Sequence, residues 1–171
     1  MQSLEACLAE EASKGCYRDT VAVLSAFRGI GLITALTLAC EVGEFRRFAH
    51  PRQLMAYLDL VSREHISGNR VVRGGITKAG NTHARKALVS ASWKYATTPL
   101  CSVALRTWQQ QVSAPVIRIA WKVQRRLYKR YYRLSQRRPR NVTNVAVARE
   151  LVGLLWEALH IATATTAALA T

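Results

Sequence analysis

The sequence predicts a mainly α fold: a helical domain containing a helix-hairpin-helix turn, with a small β-hairpin insertion and long basic helices toward the C-terminus. Three observations carry this expectation. Apolar residues recur at helical spacing along most of the chain, and Gly and Pro punctuate those runs where helices stop and start. Between Leu60 and Asn81 the period changes to short extended pieces around Ser67-Gly68-Asn69 and Gly74-Gly75. With 171 residues, half of them apolar, the chain can bury a hydrophobic core.

Leu4, Cys7, Leu8 and Ala12 share a helical face and Gly15 closes the segment, so residues 1–18 are expected to form an N-terminal helix that ends a linker or coiled-coil element. Asp19 is the expected N-cap of a short helix carrying Val21, Val23, Leu24 and Phe27. That helix breaks at Arg28-Gly29-Ile30-Gly31, and a second one, Leu32 to Val42, ends at Gly43. Pro51 opens the next helix. After the extended region, helix is expected from Thr82 to Thr97, stopped by Pro99, and from Leu100 to Val112, stopped by Pro115. A long basic helix follows, with Ile119, Val123, Leu127 and Leu134 as its apolar stripe. Arg137 to Asn141 reads as a polar linker, and a final helix from about Thr143 is apolar on most sides. The expected division is therefore 1–18, 19–98 and a basic helical tail, 99–171.

The net charge of +15 makes an acidic polymer the default partner. Its distribution is more telling: no carboxylate occurs from His65 to Arg149, while Lys and Arg recur throughout that stretch. The alternative, a solvated basic face that serves solubility, explains such one-signed charge poorly. Cys7, Cys16, Cys40 and Cys101 lack metal-ligand spacing and read as buried thiols in a reducing cytoplasm. No signal peptide opens the chain, and Glu157 and His160 interrupt the apolar tail, so a cytoplasmic protein without a membrane span is expected.

Two constellations point to chemistry. In Phe27-Arg28-Gly29-Ile30-Gly31 the glycines would let backbone N–H groups at a helix N-terminus approach a phosphate, with the Arg28 charge beside it; a plain connection between helices is the competing reading. The second runs from Arg63-Glu64-His65-Ile66-Ser67 through Arg70, Arg73, Lys78 and Asn81 to Arg85 and Lys86. A serine on a hairpin turn among cations is a candidate nucleophile for a phosphodiester, although most serines before glycine are turn residues. His65 is open to three readings: general base, contact to DNA, or surface residue. Gly75 to Asn81 lacks the ending of a nucleotide-binding phosphate loop and is not one. Arg118, Lys122, Arg126 and Arg130 of the basic helix complete the expected DNA contacts, in the company of Arg125, Lys129 and Arg133.

Taken in order, GIGLITALTLACEVGEFRRFAHPRQLMAYLDLVSREHISGNR and RGGITKAGNTHARKALVSASW resemble the C-terminal domain of the insertion-sequence one-ten transposases, the IS116/IS110/IS902 group of bridge-RNA-guided serine recombinases. The likeness covers about Val21 to Trp93. It implies that Ser67 is the catalytic serine and that DNA is the partner, with a guide RNA, self-association and a full-length transposase as further partners. It also implies a bacterial, nucleoid-associated location. Divalent metal, Mg, is implied only for a separate RuvC-like domain with four carboxylates. No cofactor is expected on this chain, which reads as truncated and inactive alone. Arg28, Asp59 and Ser62 depart from the family's usual Pro, Gly and Pro. Asp59 matters most, since a charge near the core and a lost glycine strain a turn. A non-catalytic nucleic-acid-binding module or regulator is the alternative function; membrane-surface binding is disfavoured because Trp121, Tyr128, Tyr131 and Tyr132 do not form one stripe.

Overall fold

A computed structural model describes Leu8, Glu10, Ala12 and residues 15–67, 70–76 and 80–169; for 62–75 and 165–169 it describes the backbone course alone. The expected N-terminal helix lies largely outside these residues. Leu8, Glu10 and Ala12 are helical, and Ala12 is buried.

The chain is mainly helical, as its periodicity requires. Helix α1 is Arg18–Ser25. Its N-cap is Tyr17 rather than Asp19, which lies in the first turn, where its negative charge still complements the helix dipole. Helix α2, Leu32–Val42, begins at Gly31 and closes with the Gly43 N–H donating to the Ala39 carbonyl. Gly43 has a φ of 67°, a left-handed end that glycine adopts without cost from a side chain. A 3-10 turn at Phe45–Arg47 leads to α3, Pro51–Tyr57, where His50 and Gln53 form a reciprocal capping box. Two antiparallel strands follow, β1 at Ser62–Ser67 and β2 at Arg70–Ile76, with an irregularity in register between Ser62 and Glu64.

Helix α4, Thr82–Ser92, is shorter than its apolar period suggests, because its continuation tightens into a 3-10 turn at Trp93–Ala96 that buries Tyr95. Helix α5 is Val103–Gln109 only. The expected start at Leu100 moves to Val103, because Ser102 is extended and caps the helix with its Oγ accepting the Leu105 N–H; the Leu100 N–H donates to Gln124 Oε1, 3.0 Å away. Helix α6, Ala114–Ser135, follows from Pro115 in its first turn. Its buried face is Val116, Ala120, Val123, Gln124, Leu127 and Tyr131. Of the stripe read from sequence, Val123 and Leu127 are buried, whereas Ile119 and Leu134 lie at its margin. Helix α7, Arg140–Leu169, starts three residues before Thr143.

Helix α7 is the axis of the core. Val147, Leu151, Val152, Leu155, Ala158 and Leu159 are buried on it, and it packs against α1, α3, α4 and α6. Its apolar surround fits that position, since a helix contacted on several sides has no room for a broad polar face. Leu24, Phe27, Leu38, Leu54, Leu58, Leu88 and Leu127 complete the interior. Each such side chain contributes about 1.5–3 kcal/mol relative to exposure.

Four hydrogen bonds help fix how these elements meet. Ser92 Oγ donates to Asn144 Oδ1 at 2.8 Å, and Asn144 Nδ2 donates to the Val89 carbonyl at 2.8 Å, joining α4 to α7 with both side chains fully buried. Gln109 Nε2 donates to the Ala26 carbonyl at 3.1 Å, tying α5 to the end of α1. Trp156 Nε1 donates to the Phe48 carbonyl at 2.8 Å. Between α1 and α2, the turn at Phe27–Gly31 lies against the end of α4. Gly29 has φ of 89°, and a Cβ there would stand 2.4 Å from the Ala91 carbonyl oxygen.

Two outcomes follow. Asn144→Ala removes a buried partner from Ser92 and from Val89 and lowers stability by about 1–3 kcal/mol, read as a reduced urea midpoint at unchanged slope. Gly29→Ala combines a left-handed φ with a collision against backbone, so its loss should exceed the ~1 kcal/mol typical of glycine-to-alanine strain. Gly31→Ala is the control: open space surrounds a Cβ at Gly31, and its thermal midpoint should stay near that of the parent.

Candidate nucleic-acid interface

The expected site residues fall in three places. At the first, the turn between α1 and α2, Phe27 is buried beneath the loop and Gly31 is exposed at the N-terminus of α2. No side chain caps that helix end. Arg28 is committed elsewhere. Its Nη1 donates to the Thr98 carbonyl at 2.7 Å and the Thr97 carbonyl at 3.2 Å, and its Nη2 donates to Thr97 Oγ1 at 2.8 Å. It thus ties the turn to the segment after the 3-10 turn of Tyr95. Burial pushes the Tyr95 phenol well above its ordinary range, and the Arg28 charge opposes that rise. No local pattern signals these carbonyl partners, which lie some seventy positions away along the chain.

The second place is the strand pair and its base. Ser67 ends β1 and pairs in register with Arg70, the first residue of β2; Glu64 pairs with Arg73, and Arg63 lies within β1. Lys78 lies outside the described residues. The base is well defined. Asn81 caps α4 through Oδ1, which accepts the Ala84 N–H at 2.9 Å, and its Nδ2 donates to Glu41 Oε2 at 2.7 Å. The Tyr57 hydroxyl donates to the Glu41 carbonyl at 2.9 Å, and the Asn81 N–H donates to the Tyr57 carbonyl at 3.3 Å. Gly80 packs so closely that a Cβ would stand 2.5 Å from the Tyr57 carbonyl oxygen.

Asp59 resolves the departure noted in the sequence. It has φ of 55° and is 2% exposed, so both the left-handed turn and the buried charge are present. Asp is among the few residues that visit this conformation. Its carboxylate is met by Arg85, Nη1 to Oδ2 at 3.3 Å, with both side chains nearly buried. Arg85 Nη2 also donates to Thr82 Oγ1. Asn81 and Arg85 therefore hold the base of the hairpin together, whereas Lys86 is exposed on α4.

The third place is α6. Outside its buried face, Arg118, Lys122, Arg125, Arg126, Lys129, Arg130 and Arg133 all line an open groove of about 890 Å³. Glu150, from α7, is the acidic residue in that lining, and it pairs with Arg126 Nε and with Arg130 Nε at 3.5 Å. Both arginines remain about half exposed, so these contacts orient them without removing them from solvent. Among the described residues no group of three or more His, Cys, Asp or Glu side chains is placed to hold a metal ion. Nor is any helix of those residues long and apolar enough to cross a membrane.

The aromatic residues of α6 divide. Tyr131 turns into the core, while Trp121 and Tyr132 are exposed, at 36% and 63%, and Tyr128 is half-buried. The four therefore do not form one stripe, in line with the sequence reading, whereas Trp121, Tyr128 and Tyr132 without Tyr131 do share one.

Residues 21–102 match the model of the Transposase IS116/IS110/IS902 family. Putative transposase y4qE of Sinorhizobium fredii is 42% identical over 166 residues, which is 96% of this chain and 43% of that protein. The transposase for insertion sequence element IS1111A of Coxiella burnetii is 38% identical over 79 residues, 46% of this chain and 20% of its own length. A probable family 20 transposase of Pseudomonas aeruginosa is 32% identical over 136 residues, 80% of this chain and 34% of that protein. The chain thus spans less than half the length of each of these relatives. The ordered GIG, PRQL, REH and ITKAGN segments fall within the matched residues, and through them the chain belongs to the IS116/IS110/IS902 transposase family.

Proposed function

We propose that this chain is the part of a transposase that grips DNA and presents a serine to it during transposition. The observation that carries the binding half of this reading is the α6 face, where seven cations line one groove with a single carboxylate among them. Such a surface repels itself unless phosphates lie along it. The turn at Phe27–Gly31 is read as a helix-hairpin-helix contact. The exposed, uncapped start of α2 supports this, since its backbone N–H groups and helix dipole favour a phosphate oxygen. Arg28 acts in this reading as the brace of that turn.

The catalytic half rests on Ser67. In the proposed step, Ser67 Oγ bonds to phosphorus, the P–O bond to one nucleoside breaks, and the leaving oxygen is protonated. The hydroxyl proton of Ser67 passes to a base or to water. Arg63, Arg70 and Arg73 lie on the same strand pair and would stabilise the charge that develops on the phosphoryl oxygens. Any divalent metal used in transposition is proposed to be held by the carboxylates of a separate domain, as the family resemblance implies. A guide RNA, a second copy of the chain and a full-length transposase are the proposed partners, and the bacterial nucleoid the proposed location.

Binding is tested by a salt series on a transposon-end duplex. Replacing Arg118, Lys122 and Lys129 by Gln should weaken binding and flatten the dependence of log K on log salt by about 0.9 for each phosphate that is no longer neutralised. An unchanged slope would show that α6 does not meet the duplex. Ser67 is tested by mixing the chain with labelled duplex and an intact relative. A covalent adduct of this chain that disappears in Ser67→Ala, with binding retained, is the expected result. No adduct while the relative forms its own would reject the nucleophile and leave a non-catalytic binding module.

A further inference from the structure

On a helix of 3.6 residues per turn, Trp121, Tyr128 and Tyr132 fall within about 40° of one another around the axis of α6. Arg125, Lys129 and Arg133 begin at the edge of this stripe and extend away from it, on the side opposite the buried face. Tyr128, Lys129, Tyr132, Arg133, Gln136 and Arg137 line a second groove, of about 580 Å³, which shares Lys129 and Arg133 with the larger cationic one. Aromatic rings left open to water beside a row of cations need an account, because Tyr132 at 63% exposure adds little to the core.

We propose that Tyr128 and Tyr132, with Trp121, form a stacking platform for unpaired nucleobases, and that Lys129, Arg133 and Arg137 hold the phosphates of that strand. This rests on the reading of α6 as a nucleic-acid surface and names the form of nucleic acid that its aromatic edge takes. The bases of a duplex are stacked on one another at about 3.4 Å and offer no free face. The rings of α6 are spaced along the axis by about 10 Å and about 6 Å. They suit bases splayed from a single strand, each laid on a separate ring, with cations on one flank for the backbone. A duplex end or junction would then span both grooves, its paired part along the cationic face and its open strand over the tyrosines. A lipid surface fits less well. Between Trp121 and Tyr132 the stripe is interrupted by Arg125 and holds no aliphatic side chain, so it offers little area for insertion among acyl chains.

The test uses the whole chain and fluorescence anisotropy at one fixed salt concentration. The probes are a labelled DNA strand, the RNA strand of the same sequence, the DNA duplex, and anionic phosphatidylserine vesicles. The variants are Tyr128→Ala/Tyr132→Ala and Tyr128→Phe/Tyr132→Phe, with circular dichroism to confirm that each is folded. The alanine pair should weaken single-strand binding at least about fivefold for each stacked base. Duplex binding should hold, and the phenylalanine pair should restore the parent affinity. A loss in either the DNA or the RNA arm supports the platform, and the larger loss identifies the strand it prefers. Equal losses for strand and duplex, or no loss at all, would overturn it. Aromatic-dependent binding to vesicles with strand binding untouched would overturn it as well. If the parent binds duplex but no single strand, the platform fails while the α6 reading stands; if it binds neither, both fail.

Discussion

The packing of α6 on α7 is the constraint from which the surface of this protein follows. Val116, Ala120, Val123, Leu127 and Tyr131 commit one face of α6 to the interior, and α7 meets them with its own buried run from Val147 to Leu159. Once that face is fixed, helical geometry puts Arg118, Lys122, Arg125, Lys129 and Arg133 on the opposite side and Arg126 and Arg130 on the flank that meets Glu150 of α7. An isolated helix so charged would be destabilised by repulsion between neighbours three and four residues apart. Burial of apolar area on α7 offsets that repulsion, so the energy that holds the cationic face open comes from the core.

The same core decides which cations are free to meet a partner. Arg28 and Arg85 look like phosphate ligands in the sequence, yet each ends on an acceptor of the protein itself: Arg28 on Thr97 and Thr98, Arg85 on Asp59. Arginine suits this use because its planar fork reaches several acceptors at once. Arg126 and Arg130 are intermediate, held by Glu150 but open to solvent. Lys86, Lys122 and Lys129 remain as exposed point charges.

The base of the strand pair shows how a departure from a family pattern is accommodated. A buried carboxylate without a partner would cost several kcal/mol, and a left-handed non-glycine residue adds strain. Asp59 has both features, and Arg85 answers the first while the side chain type tolerates the second. Around it, Glu41, Tyr57 and Asn81 link the ends of α2, α3 and α4. The segment that carries Ser67 therefore departs from three helices fixed to one another.

The order and kind of elements were legible in the residues because they depend on local rules. Gly43 and Pro51 mark helix ends by their own backbone preferences, and the alternation of Leu, Val and Ala sets the helical period of α2, α6 and α7. The acid-free stretch pointed to a phosphate-bearing partner, and the ordered GIG, PRQL, REH and ITKAGN segments carried the family resemblance without any contact being known. Tertiary structure alone decided the rest. It brought Gln124 to the Leu100 N–H, rotated the buried face of α6 to include Tyr131, and spent Arg28, Asn81 and Arg85 on internal acceptors. These outcomes depend on which atoms lie nearby after folding, across separations of tens of residues, and neither periodicity nor composition holds that information.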